Sequence, residues 1–137
     1  MADLLPKTIR LEIVTPDRLV FTGDVEEVTL PGLDGYVGIL PGHAPLLSGL
    51  KIGVISYRQA AQESLLFCSW GLVEVLPGQV SVLAEVIESV LDIDVDEARA
   101  KKEGADRLFR SKDPDTDYAA AVEMWEKARA RLEVAGG

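Results

Sequence analysis

Cysteine and histidine are almost missing from this 137-residue chain, which holds one of each, Cys68 and His43. A lone cysteine excludes an internal disulfide. Its place in the apolar run LLFCSW marks Cys68 as a buried small hydrophobe, because a reactive thiol needs a charged, accessible setting. One histidine and scattered carboxylates give no zinc-ligand spacing and no calcium loop, so no metal site is expected. Positive charge is short too. Lys and Arg total 14 against 23 Asp and Glu, a net charge of -9, which excludes a sequence-independent grip on nucleic acid and disfavours an anionic membrane surface. No apolar run approaches the roughly 18 residues of a membrane span, so direct membrane insertion is not expected. The start MADLLPKTIR lacks the basic, apolar and small-residue order of a secretory signal, and a cytoplasmic location is expected.

What is present suits a globular protein, with 47% hydrophobic and 27% charged residues. From Ile9 to about Glu85 the pattern is one of short strands. Ile9, Leu11 and Ile13, then Val28 and Leu30, then Val80, Val82 and Ala84 each alternate with polar neighbours. Turn signals fall at Pro16-Asp17, Gly23-Asp24, Gly53, Gln59 to Gln62, Gly71 and Pro77-Gly78. Short strands at this spacing predict a sandwich or flattened barrel.

The most constrained stretch is PGLDGYVGILPGHAPLLSG, Pro31 to Gly49, where five glycines and three prolines make the backbone turn, extend briefly and turn again. It is not a phosphate cradle, since no Lys-Ser or Lys-Thr follows and no strand-to-helix context frames the glycines.

Charge density rises near Leu91: residues 1–90 hold 16 charged residues and 91–137 hold 21 in about half the length. The expected division is residues 1–88 as a β domain and 89–137 as a helical hairpin. Asp94 with Glu97 reads as an N-cap and capping box opening a helix through Val95, Ala98, Ala105 and Phe109. Gly104 weakens that helix, and Ser111 to Asp115 ends it. A second helix over Thr116 to Val134 is expected to pack through Tyr118, Ala121, Val122, Trp125, Ala128 and Leu132, with Glu123 and Lys127 paired on its solvent side.

No catalytic residue is expected. His43 sits in a Gly and Pro loop near Asp34 and Ser48, without the positioned nucleophile of a hydrolytic triad. The acidic cluster Asp92, Asp94, Asp96 and Glu97 reads as complement to a helix N-terminus rather than a cation site. Trp70 is either core or an interface anchor.

Four stretches in this order, IRLEIVTPDRLVFTG, GYVGILPGHAPLL, VEVLPGQVSVLAE and DVDEARA, resemble the epsilon subunit of the bacterial F-type ATP synthase over nearly the whole chain. The resemblance implies an N-terminal β-sandwich followed by a C-terminal antiparallel two-helix hairpin. It implies a non-catalytic rotor subunit on the cytoplasmic face of the bacterial cell membrane, held there peripherally. The sandwich would clamp the gamma subunit and sit on the c-subunit ring through Gly35, Tyr36, Val37, Gly38, Pro41, Gly42 and His43. The hairpin would inhibit ATP hydrolysis by extending toward the alpha and beta subunits, with Arg107, Arg110, Lys127, Arg129 and Arg131 facing acidic loops. ATP is implied as a candidate regulatory ligand through Val95, Asp96, Arg99, Ala100 and Arg131; Asp106 and Lys127 stand where that motif has arginines, so weak or absent binding is expected. Trp70 stands where the family usually has Gly, and is expected to alter local packing or the gamma interface. Two other readings remain open from the residues: a free-standing β-sandwich binding module with a helical dimerisation tail, and a small hydrolase built on His43.

Overall fold

The computed structural model describes residues 6–136; the MADLL start on which the secretory reading rests lies outside them. Eight strands precede two helices: β1 (Ile9–Val14), β2 (Leu19–Val25), β3 (Glu27–Gly32), β4 (Gly35–Ile39), β5 (Leu46–Leu50), β6 (Gly53–Gln59), β7 (Gln62–Leu76), β8 (Gln79–Glu88), then α1 (Val95–Phe109) and α2 (Tyr118–Val134). This is the expected β-sandwich with a helical pair after it.

The strands run in the order β2-β1-β8-β7-β5-β3-β4, with β6 pairing both β3 and β7. Strands β7 and β8 are long enough to serve both walls. The C-terminal half of β7 pairs β5 while its N-terminal half pairs β6. On the open side, the Phe21 and Tyr57 rings meet at 4.5 Å and Gln59 donates to the Asp24 carbonyl, which closes the flattened barrel. Ile9, Leu11, Ile13, Val28, Leu30, Val80 and Val82 fill the core from the alternating positions that the sequence marks.

Within β7 the alternation breaks, for a local reason. Leu66 and Cys68 face the core before the break and Val73 and Val75 after it, so the inward parity changes from even to odd. Between them Trp70 adopts φ 38, in the left-handed region, and this single residue re-phases the strand while pairing with β8 continues on either side. A non-glycine residue there costs roughly 1–2 kcal/mol. Gly71, beside it, admits no side chain: a Cβ would lie 1.9 Å from the Leu83 carbonyl oxygen.

Several turn signals therefore mark something other than turns. Gly71 is a bend inside β7, Gly23-Asp24 lies within β2, and Gly53 opens β6, because glycine also serves strands where another backbone approaches closely. The Gln59 to Gln62 break is a tight hairpin whose Ala60 and Ala61 have φ 49 and 64, with Ala61 N–H donating to Glu26.

The helices pack side by side, and α2 also lies against β6 and β7. Asp94 accepts from Glu97 N–H at 3.0 Å as the expected N-cap, yet the Glu97 carboxylate pairs with Lys101 at 2.8 Å instead of completing a capping box. The buried residues of α1 are Ala98 and Ala105 alone; Phe109 is exposed. On α2 Ala121, Ala128 and Leu132 of the expected stripe are buried, and Ala130 and Val134 join them, while Tyr118 and Val122 face water. Tyr118 has a different task, since its hydroxyl donates to the Ser111 carbonyl and closes the interhelical turn. Glu123 and Lys127 pair at 3.5 Å as expected, but on a side of α2 that reaches Trp70 of the sandwich rather than on a wholly solvent face.

Two glycine substitutions should go opposite ways in urea unfolding of the whole chain. Gly71→Ala forces backbone apart and should lower stability by about 3 kcal/mol or more. At Gly104 an added Cβ meets nothing nearer than the flexible end of Arg107 at 3.7 Å, so Gly104→Ala should stabilise α1 by about 1 kcal/mol.

Candidate functional site

The wall of β6, β7 and β8 is apolar on both faces. Its inner face joins the core; its outer face presents Ile52, Val54 and Phe67, flanked by Leu65 and Val86. Ala130 and Val134 of α2, with Ile93 from the connection, cover it, and Phe67 is fully buried. The cover is fixed by one cation. Arg131 lies with its guanidinium 4.4 Å from the Phe67 ring centroid and donates twice to Glu88, at 2.7 and 3.1 Å. A forked, charge-assisted pair in a half-buried setting is among the stronger polar contacts a surface can carry.

Cys68 sits in the same wall with no exposed surface, its Sγ donating to the Lys51 carbonyl at 3.6 Å. Burial pushes its thiol up to about 12, the opposite of a nucleophile's setting.

The Gly and Pro stretch is two places rather than one. Pro41, Gly42 and His43 form a turn in which His43 N–H donates to Leu40 and Gly42 N–H donates to the Pro77 carbonyl, tying it to the β7–β8 turn at one end of the sandwich. Gly42 takes φ 81 there. Gly35 and Tyr36 lie at the far end of the five-residue β4, roughly 13 Å away along the strand. Val37 packs partly against the core and Gly38 is exposed opposite Thr29.

Tyr36 faces the tail. Pro31 offers no N–H, its carbonyl accepts from Lys51, and the Tyr36 hydroxyl instead takes the Val54 N–H at 3.0 Å. The hydroxyl thus satisfies a backbone donor where the β3–β6 ladder stops. Partial burial raises its pKa and the Glu133 carboxylate adds to the rise, against the Val54 hydrogen bond and Arg129. A cleft of about 260 Å³ between this end and α2 is lined by Tyr36, Lys51, Trp125, Glu126, Arg129 and Glu133.

His43 donates from Nδ1 to the neighbouring Ala44 carbonyl at 2.6 Å, and Ser48 donates to Gly49, so neither engages the other and no triad forms. Of the basic tail residues, Lys127 pairs with Glu123, Arg129 lies 5.6 Å from the Trp125 ring and Arg131 is held by Glu88. Arg107 and Arg110 are exposed at the end of α1, without an ion pair among the described residues.

The residues implied for a nucleotide are dispersed. Val95 is half-buried, and Asp96, Arg99 and Ala100 are exposed on the first turns of α1. The neighbouring cavity, about 120 Å³, is lined by Glu88, Asp92, Asp94, Glu97, Lys101 and Arg131, and includes only Arg131 of that set. Four carboxylates oppose two cations, and the arginine fork is already filled, so these side chains do not fit a triphosphate. Asp92 is spent locally as well. Its carboxylate accepts from the Ser89 N–H and hydroxyl, which lowers its pKa.

Sequence reasoning missed Glu88 and Phe67. The signal was the run LLFC, continuous where one-sided strands alternate, which marks burial on both faces.

Two outcomes are expected. Glu88→Ala leaves the Arg131 guanidinium over Phe67 without its acceptor, and should weaken tail docking by about 1–3 kcal/mol, read as faster hydrogen exchange along α2. Stability should also fall with alkali. The unfolded chain releases the thiol proton near about 8.5, whereas the folded chain holds it to about 12. Unfolding is therefore favoured progressively between those values, and Cys68→Ala should flatten that part of the urea-midpoint profile.

Comparison with known proteins accounts for both halves of the chain. Residues 8–90 match the family described as ATP synthase, Delta/Epsilon chain, beta-sandwich domain, and residues 92–136 match its long alpha-helix domain. The chain is 40% identical over 132 residues to the ATP synthase epsilon chain of Nitratidesulfovibrio vulgaris, covering 96% of this chain and 98% of that protein. It is 41% identical over 130 residues to the ATP synthase epsilon chain of Halalkalibacterium halodurans, covering 94% and 98%. The fold matches a chain of the Euglena gracilis mitochondrial ATP synthase, OSCP/F1/c-ring, with TM-score 0.82 at 20% identity, covering 97% of this chain and 84% of that one. With sandwich and helical pair both matched and bacterial epsilon chains similar over nearly the full length, the chain belongs to the ATP synthase delta/epsilon family.

Proposed function

We propose that the chain is the non-catalytic rotor subunit that couples a c-subunit ring to the gamma shaft, with residues 1–88 as the clamp and 89–137 as a regulatory tail. The observation that carries this is an exposed apolar row on the outer face of the sandwich. Leu19 pairs with Val14 just past a register shift between Ile13 and Val14, Val14 pairs with Leu83, and Leu83 with Leu72. Leu72 stands opposite Gly49, over which Leu33 lies. Leu19, Leu33, Leu72 and Leu83 are about half exposed, and a contiguous apolar row of this kind marks a protein interface. Gamma is the partner we assign to it. The Pro41–His43 turn, together with Pro77-Gly78, would meet the ring.

The exposed Arg107 and Arg110 at the hairpin tip support contact with acidic loops of alpha and beta subunits; Lys127, Arg129 and Arg131 would join only after leaving their present partners. Opposite charge at such an interface favours approach and register. The residues do not favour ATP as a tail ligand. The setting we assign is the cytoplasmic face of a bacterial membrane, reached through the complex; no helix among the described residues is long and apolar enough to cross a bilayer. The free-standing module with a dimerising tail is less favoured, because α2 spends its apolar side on the chain's own wall.

A catalytic head of alpha, beta and gamma subunits tests the assignment. The chain should bind it, and Leu72→Glu with Leu83→Glu should weaken binding at least about tenfold with the melting temperature unchanged. Hydrolysis should be suppressed by the full chain and not by one cut after Val90. Unchanged binding by the charged variant removes the apolar row as the clamp; no binding by any form favours the free-standing module.

A further inference from the structure

Trp70 is neither core nor, in this arrangement, free surface. Its indole belongs to neither apolar cluster and is 41% exposed. The re-phasing of β7 requires a left-handed residue, which glycine supplies without strain, so the strand itself has no use for an indole. Among the described residues the one polar contact the ring makes is to the tail: Nε1–H donates to Glu123 Oε1 at 3.3 Å, 53 residues away. Lys127 Nζ lies 3.5 Å from the same oxygen and helps hold it in place.

The position of that contact along α2 matters. Ala130, Arg131 and Val134 fix the C-terminal half of the helix on the Phe67 wall. Among the described residues, Trp70 to Glu123 is the single side-chain hydrogen bond from the sandwich to the N-terminal half, which otherwise has α1 beside it.

We propose that Trp70 is a strap: the indole–Glu123 hydrogen bond holds the N-terminal half of α2, and α1 with it, against the sandwich and sets how readily the hairpin peels away. Backbone strain at Trp70 keeps the strap at the bend between the walls. Peeling begins at this end because its polar tie is exposed, whereas the Arg131 end is half-buried. The strap is a positioning device, and its consequence for inhibition rests on the regulatory role proposed for the tail.

The test is hydrogen exchange on the full chain. In Trp70→Phe, which keeps an aromatic ring and loses the N–H, amides of residues 118–124 should exchange about three- to tenfold faster, while residues 130–134 and the sandwich keep their rates. Trp70→Gly should do the same while raising the urea midpoint of the sandwich. Glu123→Ala should match Trp70→Phe, Glu123→Gln should retain protection, and the double variant Trp70→Phe with Glu123→Ala should be no faster than either single one. Unchanged rates at 118–124 in Trp70→Phe and Glu123→Ala, or a loss spread evenly over sandwich and tail, would overturn the strap. Added to the catalytic head, Trp70→Phe should inhibit hydrolysis more strongly than the parent; unchanged inhibition alongside faster exchange upholds the strap and rejects the inhibitory role of the tail.

Discussion

The structure depends on one wall that cannot stand bare in water. The β6–β7–β8 face around Ile52, Val54 and Phe67 is apolar on its outer side as well as its inner one, and burying a phenylalanine alone contributes about 2–3 kcal/mol. That surface demands a cover, and Ala130 and Val134 supply it. The Glu88–Arg131 fork closes the edge, satisfying a cation that would otherwise lie over an aromatic ring without an acceptor. The tail is thus held by the same strand whose other face belongs to the core. Whatever draws the hairpin away must replace those contacts.

The sandwich was legible where a strand has one wet face. β1, β3 and most of β8 show period-two alternation because water selects every second residue. β7 was not legible in that way, because it is buried on both sides over Leu66–Ser69 and then changes parity at Trp70. Glycines misled for a related reason: Gly71 reads as a turn, but it is there because the Leu83 carbonyl leaves no room for a Cβ. On α2 the expected face holds Tyr118 and Val122 beside Ala121 and Ala128; the two larger residues are exposed and the two small ones are buried, as expected of them. Size ranks hydrophobicity, but a close helix pair selects for the absence of size.

The site residues show the limits of linear spacing more clearly. Gly35 through His43 read as one loop, yet β4 separates them, sending Tyr36 to the tail and His43 to the β7–β8 turn. Arg131 was visible as a basic tail residue, but Glu88, 43 residues earlier, decides what it does. The partial nucleotide motif, from which weak or absent binding is expected, has Asp96 and Arg99 exposed to water, and carboxylates line the neighbouring cavity.

The helices α1 and α2 pack side by side, and Ala98 and Ala105 of the first and Ala121 and Ala128 of the second are buried. Alanines bring the axes close but provide no knobs to lock into holes, so axial register is only shallowly specified. Such a pair resembles a plain bearing more than a zipper, since alanines supply few interlocking side chains to mark one axial step from the next. What sets the two helices axially is then the turn that joins them, where the Tyr118 hydroxyl donates to the Ser111 carbonyl.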